Sequence, residues 1–108
     1  MSYITAHVLD ATAGTPARGV EIQLLSAVGQ QLGAAVTDAD GRVADLGPET
    51  LEPGDYRVIF GTGAYFSARG QESFHPVVTV DFAVKAGEAH YHIPLLLSPF
   101  AYSTYRGS

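Results

Sequence analysis

The sequence predicts an all-β protein, a two-sheet antiparallel β-sandwich of about eight short strands. Two observations support this fold class. Apolar residues recur at every second position along most of the chain, which is the period of a half-buried strand. Clusters of Gly, Pro, Asp and Ser separate the alternating segments at short intervals. A length of 108 residues supports one hydrophobic core, so we expect a single domain over residues 1–108.

The strands are predicted where the alternation is clearest. The predicted segments are Ile4–Leu9, Val20–Leu24, Leu32–Val36, Arg42–Leu46, Tyr56–Phe60, Val78–Val84, His92–Leu97 and Phe100–Arg106. One segment, Ala64–Arg69, lacks the alternation and is flanked by Gly63 and Gly70. This segment predicts a single short helix.

Composition excludes several classes of function. A net charge of −5 argues against binding to nucleic acid or to an anionic membrane surface, because both need clustered Lys and Arg. The absence of Cys excludes disulfides, zinc-thiolate sites and thiol nucleophiles. No apolar run approaches the ~20 residues of a membrane span. The first residues, MSYITAHVLD, do not have the pattern of a signal peptide, so a cytoplasmic location is expected, with a removed leader left open.

The alternation also assigns faces to two strands that carry His. In the first strand Ile4, Ala6 and Val8 are predicted core residues, which puts His7 on the opposite face with Thr5 and Leu9. In the seventh strand the predicted core residues are Ile93, Leu95 and Leu97, and the opposite face carries His90, His92, Pro94 and Leu96. Both opposite faces are too apolar for solvent. We therefore expect another subunit to cover them, with His7 and His92 in the interface.

Other polar residues have weaker interpretations. His90 and His92 lie on one face, but no third ligand has a convincing spacing, so a metal site is not predicted. His90 is interpreted as a rim residue and His75 as a loop residue. Arg42 follows the turn Asp38-Ala39-Asp40-Gly41, and the simplest interpretation is a surface ion pair with Asp40 or Asp45, worth ~0–1 kcal/mol.

The C-terminus is the most informative segment. It ends in Tyr105-Arg106-Gly107-Ser108, and a phenol, a guanidinium and a hydroxyl at a chain end indicate a terminus held inside a site. Together with His7-Val8-Leu9-Asp10, Asp40-Gly41-Arg42 and His90-Tyr91-His92, this end makes the chain resemble the transthyretin-related 5-hydroxyisourate hydrolases. True transthyretins, which carry thyroid hormone, share the fold but lack this tetrapeptide and the two His residues.

The resemblance implies a transthyretin-like sandwich that assembles as a homotetramer, with active sites at the dimer–dimer interface. It implies hydrolysis of 5-hydroxyisourate to 2-oxo-4-hydroxy-4-carboxy-5-ureidoimidazoline in urate degradation, without a metal or an organic cofactor. By motif matching, His7, Arg42 and His92 are the expected catalytic residues. His7, Arg42, Tyr105 and Ser108 are the expected substrate-binding residues.

The chemistry of these groups fits such a reaction. One imidazole would activate water as a general base near neutral pH, although the sequence does not say whether it belongs to His7 or His92. Arg42 would stabilise the developing oxyanion with a planar set of donors. Two alternatives are a non-enzymatic small-molecule carrier on the same fold and a structural or adhesion sandwich. The His pair and the C-terminal tetrapeptide argue against both.

Overall fold

A computed structural model describes residues 2–108. The strands are β1 (Ile4–Asp10), β2 (Thr15–Pro16), β3 (Glu21–Ser26), β4 (Gln31–Val36), β5 (Arg42–Val43), β6 (Gly54–Phe60), β7 (Val78–Val84), β8 (Tyr91–Leu97) and β9 (Tyr102–Thr104). One helix, α1 (Thr62–Ala68), lies between β6 and β7. The predicted class, two sheets with one short helix, is confirmed. The sequence missed β2, because two residues are too few to show alternation.

The strands form two sheets. One has the order β2-β1-β8-β9, with β5 also paired to β1, and the other has the order β4-β3-β6-β7. All strand pairs are antiparallel except β1 and β8, which run parallel over their whole length, from Ile4 opposite Tyr91 to Asp10 opposite Leu97. The sequence predicted antiparallel strands throughout. The parallel pair joins strands that are distant in the chain, so no hairpin turn dictates its direction.

The core lies between the two sheets and follows the predicted alternation. In β1 every second residue is buried, beginning with Ile4. Ile4, Val8, Ile22, Leu24, Val58, Phe60 and Leu95 have no solvent exposure at all. Complete burial of one such side chain contributes about 1.5–3 kcal/mol. The alternation fixes which residues of β1 and β8 face outward, and these residues form the site described below.

The helix begins two residues earlier than predicted and includes Gly63. A Cβ at this position would lie 2.6 Å from the carbonyl oxygen of Pro76, so a glycine is needed for the helix to approach that segment. Inside the helix, the Tyr65 hydroxyl donates to Asp10 Oδ2 at 2.8 Å. Burial, together with this hydrogen bond, raises the pKa of Tyr65 to about 12. The contact ties α1 to the end of β1.

None of the residues from 2 to 108 belongs to a helix long and apolar enough to cross a membrane.

Candidate active site

The candidate site lies on the outer face of the sheet that contains β1 and β8. The parallel register places Thr5 opposite His92 and His7 opposite Pro94, so the side chains of alternate residues meet on one face. The antiparallel pairing of β1 with β5 places Arg42 opposite His7. Three strands that are far apart in sequence thus bring together His7, Arg42 and His92.

Arg42 and His92 line a shallow cleft. The cleft has a volume of about 260 Å³, and its lining includes Thr5, Arg42, His90, His92 and Ser108. His7 lies beside the cleft, with its ring centroid 6.4 Å from that of His92. Arg42 and Ser108 are exposed, whereas both imidazoles are half-buried. The cleft therefore combines basic side chains with partial shielding from water.

The ring of His7 is oriented by the loop that precedes Arg42. His7 Nε2 lies 2.9 Å from the carbonyl oxygen of Asp40. Because a carbonyl oxygen only accepts, Nε2 carries the proton and donates it. Neutral His7 therefore keeps its free lone pair on Nδ1.

The ring of His92 is held on its other side. His92 Nδ1 lies 2.7 Å from Thr5 Oγ1, and the same hydroxyl lies 2.9 Å from His90 Nε2. With Nδ1 engaged, Nε2 is the nitrogen of His92 left for a substrate or a water. Burial lowers the pKa of His92 below its ordinary value of 6.5, and repulsion from Arg42, His7 and His90 acts in the same direction. A lowered pKa keeps this imidazole neutral near pH 7.

The turn before β5 fixes the start of the Arg42 side chain. The carboxylate of Asp38 accepts the backbone N–H groups of Asp40 and Arg42, each at 2.9 Å. These hydrogen bonds, the one from Arg42 first, hold the pKa of Asp38 below its usual value. Gly41 has a φ of +73°, and a Cβ there would lie 2.3 Å from the carbonyl oxygen of Val8. Only glycine is compatible with this contact.

The C-terminal residues return to the site along β8. Gly107 N–H donates to the His92 carbonyl oxygen at 2.9 Å, and a Cβ on Gly107 would lie 2.6 Å from His92 Cδ2. Gly107 thus packs directly on the His92 ring and leaves Ser108 at the cleft. The interpretation of the C-terminus as a segment held in place agrees with these contacts.

The rest of the tetrapeptide points elsewhere in the protomer. Tyr105 and Arg106 line a second cleft of about 320 Å³, together with Val80–Ala83 of β7 and with His92. Arg106 forms an ion pair with Glu88 at 3.2 Å and lies over the ring of Tyr91 at 4.4 Å. Tyr105 does not line the cleft of Arg42 and Ser108, and it shares only the second cleft with His92.

The other two His residues have different surroundings. His75 packs edge-on between the rings of Phe74 and Tyr102, with centroid distances of 4.9 and 5.0 Å, which agrees with its interpretation as a loop residue. His90 was interpreted as a rim residue, and it lines the cleft and contacts Thr5.

The sequence did not single out Thr5. It placed Thr5 on the face of His7, but only the register of β1 against β8 shows that its hydroxyl lies between two imidazoles.

Comparisons with known proteins agree on one family. Residues 4–107 match the model of the HIUase/Transthyretin family. A 5-hydroxyisourate hydrolase of Salmonella typhimurium is 47% identical over 97% of this chain and 80% of its own length. The structure of a Klebsiella pneumoniae 5-hydroxyisourate hydrolase superposes with a TM-score of 0.91 and 39% identity, over 99% of this chain and all of that one. Sea bream transthyretin in complex with thyroxine superposes with a TM-score of 0.89 and 39% identity, over 97% of this chain and 94% of that one.

Proposed function

The chain belongs to the HIUase/Transthyretin family, and we propose that it hydrolyses 5-hydroxyisourate to 2-oxo-4-hydroxy-4-carboxy-5-ureidoimidazoline in urate degradation. The observation that carries the proposal is the cleft on the outer face of β1 and β8, where Arg42, His92 and Ser108 converge beside His7. The 47% identity to a 5-hydroxyisourate hydrolase over nearly the whole chain supports the same reaction.

The reaction is the attack of water on a ring carbonyl carbon, followed by cleavage of its bond to nitrogen. In this mechanism His92 is the general base, because its Nε2 makes no hydrogen bond within residues 2–108, whereas His7 Nε2 donates to the Asp40 carbonyl oxygen. His92 takes a proton from water as the oxygen bonds to carbon. The resulting imidazolium then returns the proton to the leaving nitrogen.

Arg42 and His7 act on the substrate itself. The Arg42 guanidinium stabilises the negative charge that develops on the carbonyl oxygen, and its planar donors match the oxygens of a urate-like ring. His7, fixed by its bond to Asp40, offers Nδ1 as an acceptor for a ring N–H. Ser108, which lines the same cleft, binds the polar edge of the substrate through its hydroxyl.

We also propose a homotetramer, for two reasons. The cleft is open to solvent on the side of Arg42 and Ser108, which are both exposed, and a second subunit would enclose it. The end strands β7 and β9 both line the second cleft. Each has one edge that no strand within residues 2–108 pairs, and a second copy can pair it. An edge interface and a face interface together generate a closed tetramer of two dimers.

In that assembly the site lies at the dimer–dimer interface. Tyr105 contributes to substrate binding only if the second cleft, which His92 also lines, meets a cleft of Arg42 and Ser108 across subunits. Its role stays a prediction.

The alternative is a carrier without catalytic activity, since sea bream transthyretin shares the fold and was solved with thyroxine. The fold does not separate the two functions, and the site residues do. A carrier has no need for a neutral imidazole with a free nitrogen beside a guanidinium.

The experiment is ultraviolet monitoring of 5-hydroxyisourate generated in situ by urate oxidase. The hydrolase should accelerate the decay of its absorbance in proportion to protein concentration. A carrier would bind without accelerating the decay, and that result would exclude the proposed function.

A further inference from the structure

We propose that Thr5 is a positioning residue that fixes His92 in the tautomer with a proton on Nδ1, by accepting from His92 Nδ1 and donating to His90 Nε2. This inference rests on the proposed function in one respect, the need for a free lone pair on His92 Nε2. It adds a residue, and a role for His90, to the site.

The Thr5 hydroxyl contacts the rings of both His90 and His92. Thr5 Oγ1 lies 2.7 Å from His92 Nδ1 and 2.9 Å from His90 Nε2, both within hydrogen-bond range. The rings of His90 and His92 are nearly parallel, at 22°, with centroids 6.4 Å apart. The hydroxyl therefore sits between two imidazoles that present different nitrogens to it.

The single proton of the Thr5 hydroxyl links the tautomers of His90 and His92. A threonine hydroxyl has one proton to donate and can accept in return. When both imidazoles are neutral, a donation to one nitrogen leaves the oxygen to accept from the other. If Thr5 donates to His90 Nε2, it accepts from His92 Nδ1–H, and His92 Nε2 is then an unprotonated base. If the direction is reversed, His92 Nε2 carries a proton and His92 is not competent to activate water.

The surroundings of Thr5 and His92 hold both side chains in place. Thr5 is half-buried on β1, directly opposite His92 in the register, so its side chain has little freedom to turn away. Gly107 closes the other side of the His92 ring. A ring held on both sides cannot exchange its nitrogens by flipping, so the tautomer decides whether the base is available.

The test compares Thr5→Val with Thr5→Ser. Valine keeps the shape and the β-branch of threonine but removes the hydroxyl, whereas serine keeps the hydroxyl. We expect Thr5→Val to lower kcat on the order of tenfold, because part of the neutral His92 takes the other tautomer, and to leave KM within about twofold. Thr5→Ser should restore most of kcat. Thr79→Val, on an exposed position of β7, is the matched control and should behave as the wild type.

The imidazole ¹⁵N chemical shifts provide a readout that does not depend on catalysis. In the unliganded wild-type tetramer at alkaline pH, His92 should show a protonated Nδ1 and an unprotonated Nε2. In Thr5→Val this preference should be lost.

Three results would overturn the proposal: a protonated His92 Nε2 in the wild type, an unchanged tautomer in Thr5→Val, or a rise in KM with unchanged kcat. The last would mean that Thr5 binds substrate directly. If Thr5→Val does not fold, the wild-type shifts still decide. If the wild type does not hydrolyse 5-hydroxyisourate, the proposed function fails while the shifts test the Thr5 geometry separately.

Discussion

The position of the exposed Arg42 is fixed by contacts of its backbone. Its N–H donates to Asp38, its position opposite His7 follows from the pairing of β5 with β1, and the turn before it requires Gly41. The sequence placed Arg42 directly after a turn. It did not predict the pairing with β1, because a strand of two residues carries no pattern that indicates its partner strand.

Arg42→Lys tests the planar geometry that the mechanism assigns to this residue. Lysine keeps the charge but cannot make the paired planar contacts. Loss of a preorganised donor to an oxyanion lowers the rate by roughly 10²–10³, so we expect kcat/KM to fall by that order with the fold unchanged. Steady-state assays of the two proteins measure this. A rate within a few-fold of the wild type would place Arg42 on the surface with no catalytic role.

His92 also determines the expected pH dependence. Burial first, and repulsion from Arg42, His7 and His90 next, lower its pKa below 6.5. The proposed mechanism requires neutral His92, so kcat/KM should be constant above that value and fall only as the pH drops through the lowered pKa. The structure therefore places the expected fall at a lower pH than an unshifted His would give. An acid limb at or above pH 6.5 would contradict this assignment.

The C-terminal segment is held by contacts that contribute little to folding stability but fix the position of the His92 ring. The Arg106–Glu88 pair is about half exposed on both sides, and such pairs contribute little to folding. Gly107, in contrast, forms a β-bridge with His92 and packs on its ring. We infer that the segment serves the site more than the core.

Gly107→Ala tests this inference without removing any polar group. Its Cβ would force the His92 ring to move, so activity should fall on the order of tenfold or more, while the free energy of unfolding should change by less than about 1 kcal/mol. Deletion of residues 105–108 should likewise lower activity more than it lowers the free energy of unfolding.

Gly61→Ala is the control, since Gly61 has a φ of −78° and a Cβ there would meet nothing closer than 3.4 Å. Chemical denaturation and the hydrolysis assay together distinguish the outcomes. A Gly107→Ala protein with full activity would show that the close packing on His92 has no mechanistic importance.

The sequence predicted elements better than their relations. Alternation identified the outward residues of β1 and β8 correctly, including His7 and His92, because burial of one face leaves this mark on the sequence. It did not identify the parallel pairing of β1 with β8, which brings Thr5 to His92. That register depends on packing between strands separated by about eighty residues, and local patterns carry no information on it.

Part of the apolar face that was expected to contact another subunit is covered within the protomer. The sequence predicted that Pro94, with Leu9 and Leu96, forms an apolar outer face for another subunit. Leu9 and Leu96 are half-buried, but Pro94 is already buried, since Gly107 lies against it. Part of the predicted interface is thus covered by the chain itself.

A second group of apolar side chains is exposed to solvent. Phe74, Val77, Phe100 and Tyr102 are between 41% and 70% exposed, and Phe74 and Pro99 are joined by a backbone hydrogen bond. Exposed apolar clusters of this kind mark interfaces, so the expectation of a tetramer gains support from a different surface.

Sedimentation at micromolar concentration tests the assembly. We expect one species of about four times the chain mass of 11.4 kDa. A monomer at that concentration would remove the basis for a site completed by a second subunit.

The central claim is that this chain hydrolyses 5-hydroxyisourate with His92 as the base, and a comparison of two His variants tests it most directly. His92 lies at the cleft, whereas His75 packs between Phe74 and Tyr102. In the ultraviolet assay the wild type and His75→Ala should consume 5-hydroxyisourate at similar rates. His92→Ala should be slower by roughly 10²–10⁴, the usual contribution of a general base. Full activity in a folded His92→Ala tetramer would contradict the account.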